Sequence, residues 1–278
     1  MKFSSKTAFA ASFIIAISLL SFTACRKTAD NEDTGYATDH ATLEKTFSDA
    51  QSITDEAGSD GSLTNYKVVG GTNTVLSGCA TVTNDTTVTP HKLTVDFTST
   101  NCLCNDGVYR RGQIIVTYSG KYKDMGHTHT ITFNNYFQND NQVIGTKTVS
   151  YTSNDAAGNP KYDISVTGQI ILANSAGTIS WTSTRTRTWL SGFNTKAWSD
   201  DVYEISGSGT ITRANGKTFD MLITTPLHIA LDCRWIESGV VQITPAGANA
   251  RTLDYGNGTC DAQANYTVNG KTYSVTLR

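Results

Sequence analysis

The chain has 278 residues, of which 38% are hydrophobic and 17% charged, and its formal net charge is -2. This composition excludes a disordered chain, which would be poorer in hydrophobic residues. It also argues against nucleic-acid binding, which needs clustered Lys and Arg, because the net charge falls to about -4 once residues 1–24 are removed. No Pro- or Ser-rich linker follows residue 61, so we expect one domain.

The first 24 residues have the pattern of a signal peptide. Lys2 and Lys6 precede a short apolar run over residues 8–22, which is typical of an export signal and not of a membrane-spanning helix. The run ends in Phe22-Thr23-Ala24-Cys25, which resembles the lipobox of bacterial lipoproteins, with Phe in place of the usual Leu. The resemblance implies that Cys25 is acylated, for example by palmitate, and attaches the chain to a lipid bilayer. The alternative is an ordinary secretory signal with a Cys nearby by chance.

Residues 25–38 are polar and predict a tether between the lipid anchor and the folded body. The stretch over residues 26–33 ends in acidic residues and resembles the tether of Bacteroidota-type lipoproteins. In that family, early acidic residues can mark export to the cell surface. The resemblance implies a location in the cell envelope, anchored to the outer membrane and facing the periplasm or the surface.

Five cysteines follow the predicted lipidation site, at Cys79, Cys102, Cys104, Cys233 and Cys260. Disulfides persist in an exported protein. Cys102 and Cys104 point the same way in an extended segment, so we expect one of them to pair with Cys79 and the other to stay free. Cys233 and Cys260 then form a second disulfide. The C-x-C spacing is not that of a zinc-binding pair, so we expect no metal or other cofactor.

Residues 39–58 predict one amphipathic helix. Asp39 can cap its start and Gly58 ends the pattern. Its apolar residues recur at three- and four-residue steps, at Leu43, Phe47, Ala50 and Ile53.

Residues 61–278 predict an all-β domain. Apolar and polar residues alternate with a period of two, as in residues 161–172, which is typical of strands with one buried face. Continuous apolar runs and crossover helices are missing, so the sheet should be antiparallel. We expect about 12 to 14 strands, curled or folded into a sandwich or half-barrel, because flat sheets of that size are rare.

Two Asn-Gly pairs predict hairpin turns. Asn269-Gly270 suits a two-residue type I′ turn, because Asn and Gly tolerate the positive φ angles of that turn. At Asn215-Gly216, a three-residue turn sets Ile211 opposite Phe219, which keeps one face of the hairpin apolar.

The strand over residues 178–190 is a candidate ligand platform. Thr and Ser residues occupy one face of this strand, and aromatic and cationic side chains project from the other face, at Trp181, Arg185, Arg187 and Trp189. The following loop adds Trp198. Arg between Trp rings can bind a sugar or an anion on a shallow surface. The structural alternative is a hairpin that pairs Trp189 with Val202, which would set Arg187 opposite Glu204 in an ordinary cross-strand ion pair.

Other polar groups have weaker patterns. His127 and His129 share a face but lack an identifiable third metal ligand, so we interpret them as ordinary strand-end histidines. The Asn- and Asp-rich segments 139–141 and 254–257 do not have EF-hand spacing, and we interpret them as turns.

No catalytic motif supports an enzyme. The G-x-S-x-G, H-E-x-x-H, Walker and G-x-G-x-x-G patterns are missing from the sequence. Asp200, Asp201 and Glu204 could form an acid/base pair, but acids in loops are usually solvated.

The body from about residue 60 resembles uncharacterised Bacteroidota lipoproteins, in phrases such as residues 99–107 and 252–261. The resemblance implies no particular activity. We expect a membrane-anchored, non-enzymatic envelope lipoprotein that binds a glycan, a lipid or a protein through its sheet surface. A polysaccharide hydrolase and a purely structural component remain alternatives.

Overall fold

The structure is a computed structural model that describes residues 33–59, 78–195, 200–233 and 235–277. The predicted signal peptide, Cys25 and Trp198 lie outside the described residues. The described part contains one α-helix, α1 (Gly35–Ser59), and fourteen strands: β1 (Thr81–Asp85), β2 (His91–Asp96), β3 (Cys102–Leu103), β4 (Tyr109–Tyr118), β5 (Thr128–Gln138), β6 (Asn141–Asn154), β7 (Pro160–Ile171), β8 (Thr178–Ser191), β9 (Val202–Thr212), β10 (Thr218–Ala230), β11 (Ser238–Pro245), β12 (Arg251–Asn257), β13 (Gln263–Val268) and β14 (Lys271–Thr276).

The strands form one continuous antiparallel sheet that is not closed. Each strand pairs with the next along the chain, except that β2 pairs with β4 and the short β3 pairs with β4 beside it. Sequential antiparallel pairing needs only short connections, which is why no crossover helix occurs between the strands of the described part. The predicted all-β class, with one helix near the N-terminus, is confirmed.

Helix α1 has 25 residues, which gives a length of roughly 37 Å. It begins at Gly35, four residues before the predicted start, and the Gly35 N–H donates to Asp33 Oδ1 at 2.7 Å. Asp39 is therefore not the cap. It lies inside the helix, where its carboxylate accepts a hydrogen bond from Arg213 Nε at 2.6 Å.

The sheet curves around helix α1. The predicted apolar stripe of the helix is fully buried, and the Phe47 ring packs against Phe133 of β5 and Trp181 of β8. The helix approaches β7 so closely that a Cβ at Gly168 would lie 2.1 Å from Phe47 Cζ. Tyr36, near the helix start, packs on a ring from β10. Because one helix contacts strands from β5 to β10, the sheet must wrap around it.

The two predicted hairpin turns are confirmed. Asn269 and Gly270 have φ angles of 50° and 76°, as a type I′ turn requires. Ile211 pairs with Phe219 across the turn between β9 and β10. The expected turn over residues 254–257 is wrong, because this segment belongs to β12 and continues its ladder with β11.

Two disulfides connect the sheet with its loops. Cys79 pairs with Cys102, and Cys233 pairs with Cys260, while Cys104 is free and buried. The predicted pairing of Cys233 with Cys260, and of Cys79 with one of the two neighbouring cysteines, is confirmed.

The hairpin of β8 and β9 has a different register from the expected one. Trp189 pairs with Tyr203, and a one-residue irregularity follows before Ser191 pairs with Val202. Arg187 is consequently opposite Ile205, and the expected cross-strand pair with Glu204 does not form. A shift of one residue moves a side chain to the other face of the sheet, so Arg187 and Glu204 lie on opposite faces.

Candidate functional site

The residues of the predicted platform face the interior of the curved sheet. Trp181, Arg185, Arg187 and Trp189 are each only 3% to 4% exposed, while the Thr residues of β8 that alternate with them point away from the core. The expected shallow surface is therefore corrected to a buried cluster, because the face of β8 that carries these side chains is the one that packs under helix α1.

Arg187 lies within a group of aromatic rings. Its guanidinium is 4.9 Å from the Tyr162 ring and 4.7 Å from the Tyr203 ring, and it donates to the Tyr122 hydroxyl. The expectation that Asp201 is solvated is also wrong. This carboxylate is buried and accepts hydrogen bonds from Trp189 Nε1 at 3.2 Å and from Tyr203 at 3.1 Å. Asp201 thus has a structural role within this buried cluster.

Arg185 connects this cluster with the helix. Its Nη1 atom lies 2.6 Å from Glu44 Oε2, and both side chains are almost completely buried. Burial alone would raise the pKa of Glu44, but the charge and hydrogen bond of Arg185 and the nearby His40 and Lys147 together outweigh burial, and the pKa lies below its ordinary value. Glu44 is therefore a carboxylate at neutral pH.

Glu44 also lines a cleft between helix α1 and the sheet, with a cavity volume of about 510 Å³. The helix contributes a second face to this cleft, distinct from its apolar stripe, with a spacing of three and four residues. The lining residues come from five separate parts of the chain: Ala41, Glu44, Lys45, Ser48, Asp49 and Ser52 from α1, Asn105 and Asp106 from the loop after β3, Ile229, Leu231, Asp232, Cys233, Trp235 and Ile236 from the end of β10 and its loop, Tyr255 from β12, and Leu277 after β14.

One wall of the cleft is mainly apolar. The connection between β10 and β11 supplies Leu231, Trp235 and Ile236, and the end of the sheet supplies Leu277. The disulfide of Cys233 with Cys260 ties this connection to the segment after β12. The wall is thus held in place by a covalent link, as a preformed binding pocket requires.

The opposite wall is polar and organised by ion pairs. Lys45 Nζ lies 3.3 Å from Asp49 Oδ2, and Arg110 donates two hydrogen bonds to the Asp106 carboxylate at 2.7 Å and 2.6 Å. Burial raises the pKa of Asp49. For Asp106, the hydrogen bonds and charge of Arg110 outweigh burial and hold the pKa below its usual range. The loop after β3 is positioned by this Arg110 contact.

At the buried side of the cleft, Tyr255 contacts the helix. Its hydroxyl and His40 Nδ1 are 3.3 Å apart and share a hydrogen bond. Burial lowers the pKa of His40 to about 4, so the imidazole is neutral at pH 7. Burial raises the pKa of Tyr255, which keeps its hydroxyl protonated. Tyr255 therefore offers a neutral hydroxyl beside the negative charge of Glu44.

Potential metal ligands are already engaged elsewhere. Cys233, Glu237 and Cys260 have ligand atoms within 4.8 Å of one another, but the two sulfurs share a disulfide and offer no thiolate. His129 is buried, with Nε2 3.1 Å from the Gly120 carbonyl oxygen, and His127 Nδ1 contacts a Ser119 hydroxyl. These contacts agree with the interpretation of both histidines as structural.

The chain matches no known protein family, no curated protein and no solved structure. Among the described residues, no helix is both long enough and apolar enough to span a bilayer.

Sequence reasoning missed the cleft because no linear motif marks it. Its residues meet through the curvature of the sheet, and the loop 231–237 has no distinctive pattern. One signal was available in the helix, where His40 and Glu44 are polar but recur at helical spacing beside the apolar stripe. Both are buried in the structure.

Proposed function

We propose that this protein is a lipid-anchored envelope protein that binds an amphiphilic small molecule in the cleft between helix α1 and the sheet. The observation that carries the proposal is the cleft itself, with an apolar wall around Trp235 facing a polar wall on the helix. Its volume of about 510 Å³ lies within the range of small-molecule sites, roughly 300 to 1,000 Å³. An apolar body with one polar end fits both walls.

The proposed anchor is consistent with such a ligand. Cys25 in its lipobox-like sequence would hold the chain on a bilayer through acyl chains. The segment from Cys25 to Gly35 spans at most roughly 35 Å when fully extended. The cleft would then remain near the membrane surface, where amphiphiles are concentrated.

This proposal replaces the sheet-surface binding that the sequence suggested. The described Arg and Trp side chains of that surface are buried, and one of them, Arg185, holds Glu44 in the cleft. The predicted platform residues therefore support the site from behind.

The test is a fluorescence titration of the purified chain with the apolar fluorophore N-phenyl-1-naphthylamine. Ser48 lines the cleft from an accessible face of the helix, so Ser48→Trp should fill the cavity and lower the affinity for the probe at least tenfold. Thr42→Trp is the matched control, because Thr42 lies on the same helix but not in the cleft lining.

The proposal predicts saturable probe binding with a stoichiometry near one, which Thr42→Trp leaves unchanged. Equal binding by the parent chain and Ser48→Trp would contradict it. Circular dichroism of both variants shows whether the fold is retained.

A polysaccharide-acting hydrolase is the second candidate, and one observation favours it. Asp49 and Asp106 both line the cleft and lie within 4.0 Å of the Arg110 guanidinium, with pKa values shifted in opposite directions. Divergent pKa values are typical of an acid and a nucleophile or base. Under this proposal, hydrolysis of p-nitrophenyl glycosides would be lost in Asp49→Asn and retained in Asp124→Asn, an exposed acid outside the cleft.

A further inference from the structure

We propose that the cleft selects amphiphiles whose head group donates hydrogen bonds, an ammonium in preference to a hydroxyl, and rejects carboxylate and phosphate head groups. This inference rests on the proposed function, since it names the chemical class of ligand for the same cleft. It follows from the order in which acidic and basic groups are arranged around the cavity.

Acidic groups line the cleft and basic groups lie behind them. Four of the lining residues carry carboxylates: Glu44, Asp49, Asp106 and Asp232. One lining residue, Lys45, carries a positive charge. The charge of Lys45 is held by Asp49 at 3.3 Å. Two guanidinium groups lie behind the carboxylates that they pair with. That of Arg110 is fully buried, and that of Arg185 is almost fully buried. A ligand in the cavity therefore meets carboxylates before it meets guanidinium groups.

Glu44 provides the strongest acceptor. Its side chain is only 10% exposed and yet lines the cleft. Arg185 Nη1 holds Glu44 Oε2 in an ion pair at 2.6 Å, on the side of the carboxylate that is buried in the protein. A carboxylate has about four acceptor positions, so capacity remains for a donor from the ligand.

A second acceptor lies on the opposite wall. Asp232 is exposed and lines the cleft beside the apolar residues of the loop after β10. An ammonium group inside the cavity would thus be attracted from both walls. A carboxylate or phosphate group would be repelled by the same acids and would find the nearby cations already paired.

The test compares dodecylamine, dodecanol and dodecanoate in displacing N-phenyl-1-naphthylamine at pH 7, each below its critical micelle concentration. The three compounds share one alkyl chain and differ only in the head group. The hydroxyl and the ammonium can both donate a hydrogen bond to a carboxylate, but only the ammonium adds an attraction between opposite charges. We expect dodecylamine to bind at least tenfold more tightly than dodecanol, and dodecanoate to bind more weakly than both.

Variants identify the source of the preference. Asp232→Asn removes an exposed charge without disturbing the core and should lower the ratio of amine to alcohol affinity several-fold. Glu44→Gln should lower it further, and Asp124→Asn, which makes the same change of charge outside the cleft, should leave the ratio unchanged. Because Glu44→Gln can weaken the fold, the exposed Asp232→Asn variant keeps the test valid.

The two proposals fail in different ways. If all three compounds displace the probe equally, or dodecanoate binds best, the head-group inference is wrong while the cleft remains a binding site. If neither the probe nor any of the three compounds binds, the proposed function itself is wrong.

Discussion

The buried ion pair of Glu44 with Arg185 gives the sharpest prediction about stability. The two side chains are 10% and 3% exposed, and their charged atoms are 2.6 Å apart. Glu44→Gln removes the negative charge and leaves the Arg185 guanidinium in the interior. An uncompensated buried charge costs about 3 to 5 kcal/mol of folding free energy. For a chain of this size, such a loss lowers the midpoint of thermal unfolding by roughly 6 to 20 °C.

The double variant Glu44→Leu with Arg185→Met is the matched control. It removes both charges and fills similar space with apolar side chains, so it should recover most of the loss, since replacing a whole buried pair is often nearly neutral. Urea denaturation followed by circular dichroism measures Glu44→Gln and the four members of a double-mutant cycle: the parent chain, Glu44→Leu, Arg185→Met and the double variant. A loss below about 1 kcal/mol for Glu44→Gln, or additive losses in the double variant, would refute this reasoning.

Three other predictions concern packing, pH and covalent links. Gly168→Ala places a methyl group against the Phe47 ring and should cost about 1 to 3 kcal/mol in urea denaturation; an unchanged midpoint would show that the helix is not held against β7. Burial lowers the pKa of His129 from 6.5 to about 4, so its contribution is present above pH 6.5 and lost as the pH falls toward 4. His129→Phe should therefore reduce the loss of unfolding free energy between pH 7 and pH 4 by about 3 kcal/mol, and an identical pH profile would contradict it. Replacing Cys79 and Cys102 together by Ser removes a link between residues 23 apart in the sequence and should cost about 3 kcal/mol relative to the oxidised parent chain in urea denaturation. An unchanged free energy of unfolding would contradict the stabilising role of this disulfide.

The sequence predicts the local structure well, because local structure follows from periodicity and turn chemistry. The period of two and the two Asn-Gly turns fix strand pairing over short distances, and both turns have the predicted register. The apolar stripe of helix α1 likewise predicts which helical face is buried.

The sequence does not predict which face of β8 points inward. One face of β8 carries Trp and Arg and the other carries Thr, so either face could point toward the core. The charge of Arg favours the orientation that places Arg in solvent. The structure buries Arg185 and Arg187 because Glu44 and a group of Tyr rings accept them. Those partners lie far away in the sequence, so no local pattern reveals them.

The cleft could not be predicted for a related reason. Its walls come from the helix, three loops or strand ends and β12, and they meet only when a sheet of fourteen strands has curved around the helix. Tyr255 illustrates the difficulty, since its segment has the composition of a turn and yet lies in a strand.

The central claim is that an amphiphile binds between helix α1 and the sheet, and photolabelling tests it most directly. A dodecylamine derivative with a diazirine near the end of its chain would be bound to the purified chain, irradiated, and its adducts mapped by mass spectrometry of peptides. We predict adducts on the cleft wall formed by Leu231, Trp235 and Ile236 and on helix residues 41–52, and excess dodecylamine should abolish them. Labelling confined to exposed apolar residues elsewhere, such as Leu103 and Leu222, and insensitive to competition would contradict the claim.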